Sequence, residues 1–269
     1  SINPGDGTDT VYGGTGGDTV TASNGRDLIY GEAGNDNIAG GSDTSDSMYG
    51  GAGDDSIYGG TGDDASYGGT GTDQIYAGDG NDSTFGDEGN DLVYGGLGND
   101  LIDGGADNDS LYGDAGNDSI SGGSGTDTLQ ITASLDLGTV GPAAIQSIER
   151  INMSASGTSL TMGLLDVLGL SEKNNPFNTV TGWTATASNG AVGWGSVNVG
   201  AQVVVDGTAV NSLYLKGSWQ SMGMVENNGK TYKVLNDLTT AQAQVLVDTT
   251  VQVYMAPTVL TSANELAGV

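Results

Sequence analysis

The sequence predicts an all-β chain in two parts: a repeat solenoid over residues 1–130, then a β-rich, sandwich-like part with one short helix over 131–269. Spacing is the first observation. Fourteen aspartates, Asp9, Asp18, Asp27, Asp36, Asp46, Asp55, Asp64, Asp73, Asp82, Asp91, Asp100, Asp109, Asp118 and Asp127, stand nine residues apart, except for a ten-residue step from Asp36 to Asp46. The second is the frame around each one, Gly-Gly-x-Gly-x-Asp-x-U-x with U apolar, undiluted in Gly95-Gly96-Leu97-Gly98-Asn99-Asp100-Leu101-Ile102-Asp103. The third is a break in composition. Residues 1–130 hold 34 of the 49 glycines and 25 of the 34 acidic residues against one base, Arg26.

Such an acidic, weakly apolar stretch would ordinarily stay disordered, because self-repulsion and ordering entropy go uncompensated. Its periodicity argues for order conditional on cations. Glycines at the first, second and fourth places of each repeat permit positive-φ turns and bring carbonyl oxygens inward without a Cβ in the way. The aspartate adds charged oxygens. A flexible, oxygen-only ligand set selects Ca²⁺ over transition metals, and its carbonyl-rich geometry disfavours Mg²⁺. After each aspartate the alternation of a short, three-residue strand turns only its middle side chain inward. The inward set is then Val11, Val20, Ile29, Ile38, Met48, Ile57, Ser66, Ile75, Thr84, Val93, Ile102, Leu111, Ile120 and Leu129, with Ser66 and Thr84 as weak layers.

These residues resemble the RTX, or hemolysin-type, calcium-binding repeats of proteins exported by type I secretion, and the resemblance covers residues 4–130. It implies a right-handed parallel β-roll with two repeats per coil and each Ca²⁺ held between loops two repeats apart on one edge. Carried over, Asp9 pairs with Asp27, Asp18 with Asp36, and so on to Asp109 with Asp127, which allows at most about twelve ions. Local departures are expected to matter. The extra residue in Ser42-Asp43-Thr44-Ser45 interrupts the pairing through Asp46. Ala22-Ser23 and Pro4 replace leading glycines and are expected to strain their turns. Glu32, Asp87 and Asp114 replace second glycines, Asp107 a third, and Asp79 holds a variable place; they read as solvated surface charge rather than extra ligands.

The last strand position repeats an aromatic residue. Tyr12, Tyr30, Tyr49, Tyr67 and Phe85 fall in odd repeats, and Tyr58, Tyr76, Tyr94 and Tyr112 in even ones. If alternate repeats stack in one sheet, each series is a ladder at roughly 4.7–4.9 Å spacing. Two roles stand for it: stiffening a thin roll, or offering a flat surface to a partner subunit or a glycan.

Beyond Leu129 the nonapeptide fades. Ile145–Met153 alternates as a strand, and Ile148-Glu149-Arg150-Ile151 followed by Leu160–Leu168 resembles the segment after RTX arrays in large bacterial surface proteins and adhesins. Leu160–Leu170 has a helical period, with a weaker helix at Thr239–Gln244. Strands are expected at Gln202–Asp206, Leu213–Lys216, Lys230–Leu235, Gln244–Val247 and Val251–Met255, with a hairpin turn at Asn227-Asn228-Gly229. Trp183, Trp194 and Trp219 are expected in the core of this part or, alternatively, at a sugar site.

The chain has no cysteine and no histidine. The first excludes disulfides, and the second excludes Ser-His-Asp and Cys-His catalysis and His-ligated zinc. Nucleotide and protease motifs are missing, so no catalytic residues are expected, and net charge −28 argues against nucleic acid and anionic lipid. No apolar run has the length of a membrane span, and Ser1-Ile2-Asn3-Pro4 does not resemble a signal peptide. The resemblance implies a C-terminal export signal, for which Leu260–Ala267 is the candidate. The expectation is a secreted, extracellular calcium-binding structural protein at a bacterial cell surface or in biofilm matrix, as adhesin, S-layer or filament material, that self-associates or meets other surface components. The alternative is the non-catalytic folding and export region of a larger toxin or hydrolase.

Overall fold

The computed structural model describes residues 1–42, 45–136, 144–153, 158–163, 184–186, 201–207, 211–216, 219–227, 230–237 and 243–255. Every repeat contributes one strand, and successive strands fall in opposite sheets. Strands that follow Asp9, Asp27, Asp46, Asp64, Asp82, Asp100 and Asp118 pair in parallel in one sheet; those that follow Asp18, Asp36, Asp55, Asp73, Asp91, Asp109 and Asp127 pair in parallel in the other. Two repeats make one coil, so the array forms about seven turns of a flattened parallel solenoid.

Registers follow the repeat, pairing Val93 with Ile75 and Leu111, and Tyr94 with Tyr76 and Tyr112. The predicted inward residues are the buried set, Ser66 and Thr84 included. Strand length departs from expectation. Typical strands, such as Ser56–Thr61 and Leu92–Leu97, have six residues rather than three. Backbone pairing runs on through the leading glycines of the next repeat, Gly60 with Gly78 for example, because these positions lack the side chains that would hold neighbouring coils apart. Where Ala22-Ser23 stands instead, the preceding strand is only Thr19–Thr21. The ten-residue step does not break the register: Ser47 pairs with Leu28 and Ala65, so the extra residue is taken up ahead of Asp46. At the N-terminus Ile2 bridges to Val20 and packs against the core, lengthening one sheet by a single bridge.

The second part does not form a separate sandwich among the described residues. Arg150–Met153 pairs in parallel with Thr128–Ile131, Ala201–Asp206 with Arg150–Met153, and Ala243–Asp248 with Ala201–Asp206. A further all-parallel sheet stacks Leu135–Asp136, Ser159–Gly163, Ser212–Lys216 and Gln252–Met255. The chain thus keeps winding between two parallel sheets after the glycine turns end. Aliphatic side chains, including Leu160, Val205, Leu213 and Val245, replace the single inward residue per repeat as the driving burial. The expected alternating strand at Ile145–Met153 divides into Ile145–Gln146 and Arg150–Met153, one in each sheet, around Ser147 at φ 50°. Ser159–Gly163 is a strand where a helix from Leu160 was expected, its β-paired neighbour Leu213 overriding the helical period; residues 164–170 lie outside the described residues. Residues 239–242 of the weaker helix lie outside them too, and Ala243–Asp248, which includes its last two residues, is a strand. All five expected strands are present, four of them one or two residues longer and the fifth, Gln252–Met255, one residue shorter at its start. Asn227 pairs with Lys230, as a hairpin turn at Asn227-Asn228-Gly229 requires, although residues 228–229 lie outside the described residues, and these antiparallel strands border the parallel strand Ala243–Asp248. Trp183 and Trp194, and the side chain of Trp219, lie outside the described residues.

Candidate metal centre

Because successive strands lie in opposite sheets, the fourteen aspartates fall into two rows, one along each edge of the roll, rather than on a single edge. Each stands at the entry of its strand, and its side chain turns inward beneath the coil before it. Eleven of them are buried, while Asp9, Asp18 and Asp118, near the row ends, are half-buried. From Asp9 to Asp109, the backbone N–H of each aspartate donates to the Oδ1 of the aspartate two repeats later: Asp73 to Asp91 at 2.8 Å, Asp91 to Asp109 at 2.8 Å, Asp109 to Asp127 at 2.9 Å. All twelve pairs that the RTX resemblance implies are brought together in this way. Asp46 is among them: Asp27 N–H reaches its Oδ1 at 2.7 Å, and its own N–H reaches that of Asp64 at 2.7 Å.

The second carboxylate oxygen decides the chemistry. Oδ2 of Asp27, Asp36, Asp55, Asp64, Asp73, Asp82, Asp91, Asp100 and Asp109 is buried without a hydrogen-bond partner. In seven of these repeats it points at the first glycine; Ala22 and Ala77 hold that place before Asp27 and Asp82. A Cβ at Gly104 would lie 2.4 Å from Asp109 Oδ2 and 2.7 Å from the carbonyl oxygen of Gly122, so a carboxylate and a carbonyl crowd one glycine. Leaving ionised oxygens so placed is costly, and the protonation equilibria show it. Burial pushes Asp55, Asp73, Asp82 and Asp91 up to about 6, Asp64 to about 7 and Asp109 to about 8, against the pull of the hydrogen bond each accepts. Neighbouring aspartates of the same row add to the rise.

Among the described residues no three acidic side chains converge tightly enough to hold a metal by carboxylates alone. A cation at these edges therefore draws on carbonyl oxygens as well, a donor set of hard oxygens that suits Ca²⁺. The fit is good: a dication would meet the orphaned Oδ2 atoms, supply the missing positive charge and hold successive coils together.

Glu32, Asp87, Asp107, Asp114 and Asp79 are exposed, as surface charge would be. Four of them hold positive φ where glycine is usual, 76° at Glu32, 73° at Asp87, 77° at Asp107 and 61° at Asp114. Two features escaped the sequence reading. The fifth place of the repeat forms an exposed ladder of its own, in which Asn99 N–H donates to Asn81 Oδ1 at 3.0 Å and Asn117 N–H to Asn99 Oδ1 at 2.9 Å. The recurrence of Asn and Asp just before the repeated aspartate is its signal in the sequence. The other is Glu149, whose Oε2 accepts from Asp127 N–H at 3.0 Å.

Both aromatic series form the expected ladders. Ring centroids lie 4.7–5.1 Å apart from Tyr12 to Phe85 and 4.3–5.1 Å apart from Tyr58 to Tyr112, with planes within 19° of parallel. Since the rings face one another, mutual stacking uses the faces a sugar would need, except at the ladder ends. The most exposed rings of the two ladders are accordingly their first members, Tyr12 at 60% and Tyr58 at 42%.

A parallel roll whose edges repeat buried, uncompensated carboxylates belongs to the class of metal-dependent repeat solenoids. Residues 3–129 match the family model of the RTX calcium-binding nonapeptide repeat, in stretches 3–38, 12–45, 40–75, 66–93 and 94–129, and this span is an RTX array. Such repeats bind Ca²⁺ in their Asp-rich turns and imply a secreted, type I-exported protein. A search of curated proteins finds no match to the chain. No enzyme family is indicated, and no helix among the described residues is long and apolar enough to cross a membrane.

Proposed function

We propose that this chain is an extracellular structural protein at a bacterial cell surface or in its matrix, folded by Ca²⁺ and used in adhesion or in building a layer or filament. The observation that carries the reading is the double row of buried Oδ2 atoms without partners, which makes the roll depend on an external cation. One inward side chain per repeat contributes about 1.5–3 kcal/mol, whereas ordering each residue costs about 1–2 kcal/mol, so the apolar core alone does not hold the coils. Extracellular calcium modules bind at about 10⁻⁴–10⁻³ M, so the roll stays unfolded where calcium is scarce and folds outside the cell. Circular dichroism of the chain in EGTA is expected to show coil over the array and to gain β signal with millimolar Ca²⁺. A β spectrum unchanged by EGTA would refute the reading.

Under this proposal residues 131–269 act as a β-rich partner to the roll, and assembly proceeds through surfaces the roll leaves open. The strand Thr10–Thr15 pairs on one side only, with Leu28–Ala33, so among the described residues it is a free sheet edge. Light scattering with millimolar Ca²⁺ is expected to show growth with protein concentration; a monodisperse monomer throughout would remove self-association from the reading.

A further inference from the structure

We propose that Glu149 is a calcium ligand, closing one more junction of the carboxylate row than the nonapeptides supply. The inference rests on the calcium reading above and concerns a residue beyond the matched span 3–129. Three features define an ordinary junction, and the one between Asp109 and Asp127 has them all. Asp109 N–H donates to Asp127 Oδ1 at 2.9 Å, Thr128 N–H donates back to Asp109 O at 2.8 Å, and the Gly122 carbonyl sits with Asp109 Oδ2 beside Gly104. One coil later the same three recur. Asp127 N–H donates to Glu149 Oε2 at 3.0 Å, Arg150 N–H donates to Asp127 O at 3.0 Å, and the Ser147 carbonyl sits with Asp127 Oδ2 beside Gly122.

The strands hold this register, Thr128 opposite Arg150 and Leu129 opposite Ile151, so Glu149 lies where the next aspartate would. It is buried. Spacing explains its invisibility to the repeat frame. Asp127 and Glu149 are 22 residues apart instead of 18, and Ser147, only two residues before Glu149, takes the carbonyl place that a glycine five residues before the aspartate fills elsewhere. The turn before Glu149 is three residues shorter than in the nonapeptides, and a glutamate stands in the place of the aspartate. The neighbouring cation Arg150 is engaged by Asp206, to which Lys230 and Tyr232 also bond, so that charge belongs to the coil beyond.

Glu149→Gln tests this on the full chain, because the amide oxygen still accepts the Asp127 hydrogen bond while the charge is lost. Calcium per chain at saturation, measured by atomic emission, is expected to fall by one ion, with the circular dichroism of the Ca²⁺ form kept. Hydrogen exchange is expected to lose calcium-dependent protection in peptides spanning 127–131 and 149–153 while the Asp64–Asp100 coils keep theirs. Unchanged stoichiometry and protection would overturn the proposal and leave Glu149 a hydrogen-bond acceptor only. Should Glu149→Gln fail to fold, recovery of calcium-driven folding by Glu149→Asp supports a ligand, and its failure overturns it. A parent chain that binds no calcium would instead remove the function proposed above.

Discussion

Asp91 does three things at once. Its N–H donates to Asp109, its Oδ1 accepts from Asp73, and its Oδ2 is left buried and unpartnered. One side chain therefore belongs to two junctions, and burial holds its carboxyl near 6. Asp79 is equally acidic and only twelve residues away, yet it is exposed at the end of its strand. Asp91→Ala removes a charged acceptor, worth about 1.5–3 kcal/mol, together with a ligand, and is expected to raise the calcium midpoint of folding by about tenfold or more. Asp79→Ala is expected to stay within about 0.5 kcal/mol of the parent. Calcium titrations followed by circular dichroism compare them, and equal midpoints would show that the row is not the ligand row.

Each strand buries one side chain, so a single weak layer cannot be covered by its neighbours. Ser66 is fully buried and its hydroxyl has no partner, while Thr84, next in the same sheet, donates only a 3.3 Å bond to the Leu101 carbonyl. Met48 and Ile102 bracket the two. Replacing the orphaned hydroxyl by methyls removes a desolvation cost of about 1–3 kcal/mol and adds apolar burial. Ser66→Val is therefore expected to stabilise the calcium-loaded roll by about 1–2 kcal/mol, read as a higher thermal midpoint. A lower midpoint would mean that the coil is too tight at this layer for a branched side chain. The aromatic ladders work at the same scale: their stacked rings tie each strand to the next on the outer faces, where the core offers nothing.

Across the whole molecule, two ways of neutralising buried acids succeed one another. Along the array, carboxylates face carboxylates and call for metal; beyond Glu149, Asp206 is met by Arg150, Lys230 and Tyr232 from the chain itself. The first arrangement makes the metal-free roll sensitive to pH. With carboxyls raised from 3.8 to between about 6 and 8, the folded roll binds more protons than the unfolded chain in that interval. The stability this contributes is full below about pH 4 and is lost as pH rises through 6 to 8. In buffer freed of calcium beforehand, residual β signal is expected to be greatest near pH 4 and to fall to the coil level of the array by pH 8. With Ca²⁺ the dependence inverts, because the ion binds the ionised form, and the calcium midpoint falls as pH rises. A metal-free signal flat over this range would mean that the carboxylates are not buried as described.

The nine-residue period carried most of the roll in the sequence, since one inward side chain, one carboxylate and three glycines per turn leave a chain few other ways to coil. It identified the inward column and the aromatic ladders, and the RTX resemblance supplied the pairs from Asp9 with Asp27 to Asp109 with Asp127. Tertiary structure alone decided what the period could not express. Strands doubled in length because paired backbones run on through glycine, and the aspartates divided between two edges because consecutive strands enter opposite sheets. Ser159–Gly163 became a strand despite its helical period, since a parallel neighbour was waiting at Ser212–Lys216. Glu149 shows the limit most plainly: it lies outside the nine-residue frame, and only the stacking of Arg150–Met153 on Thr128–Ile131 brings it under Asp127. Local spacing is written along the chain, whereas a contact made across a shortened turn exists only once the coils are stacked.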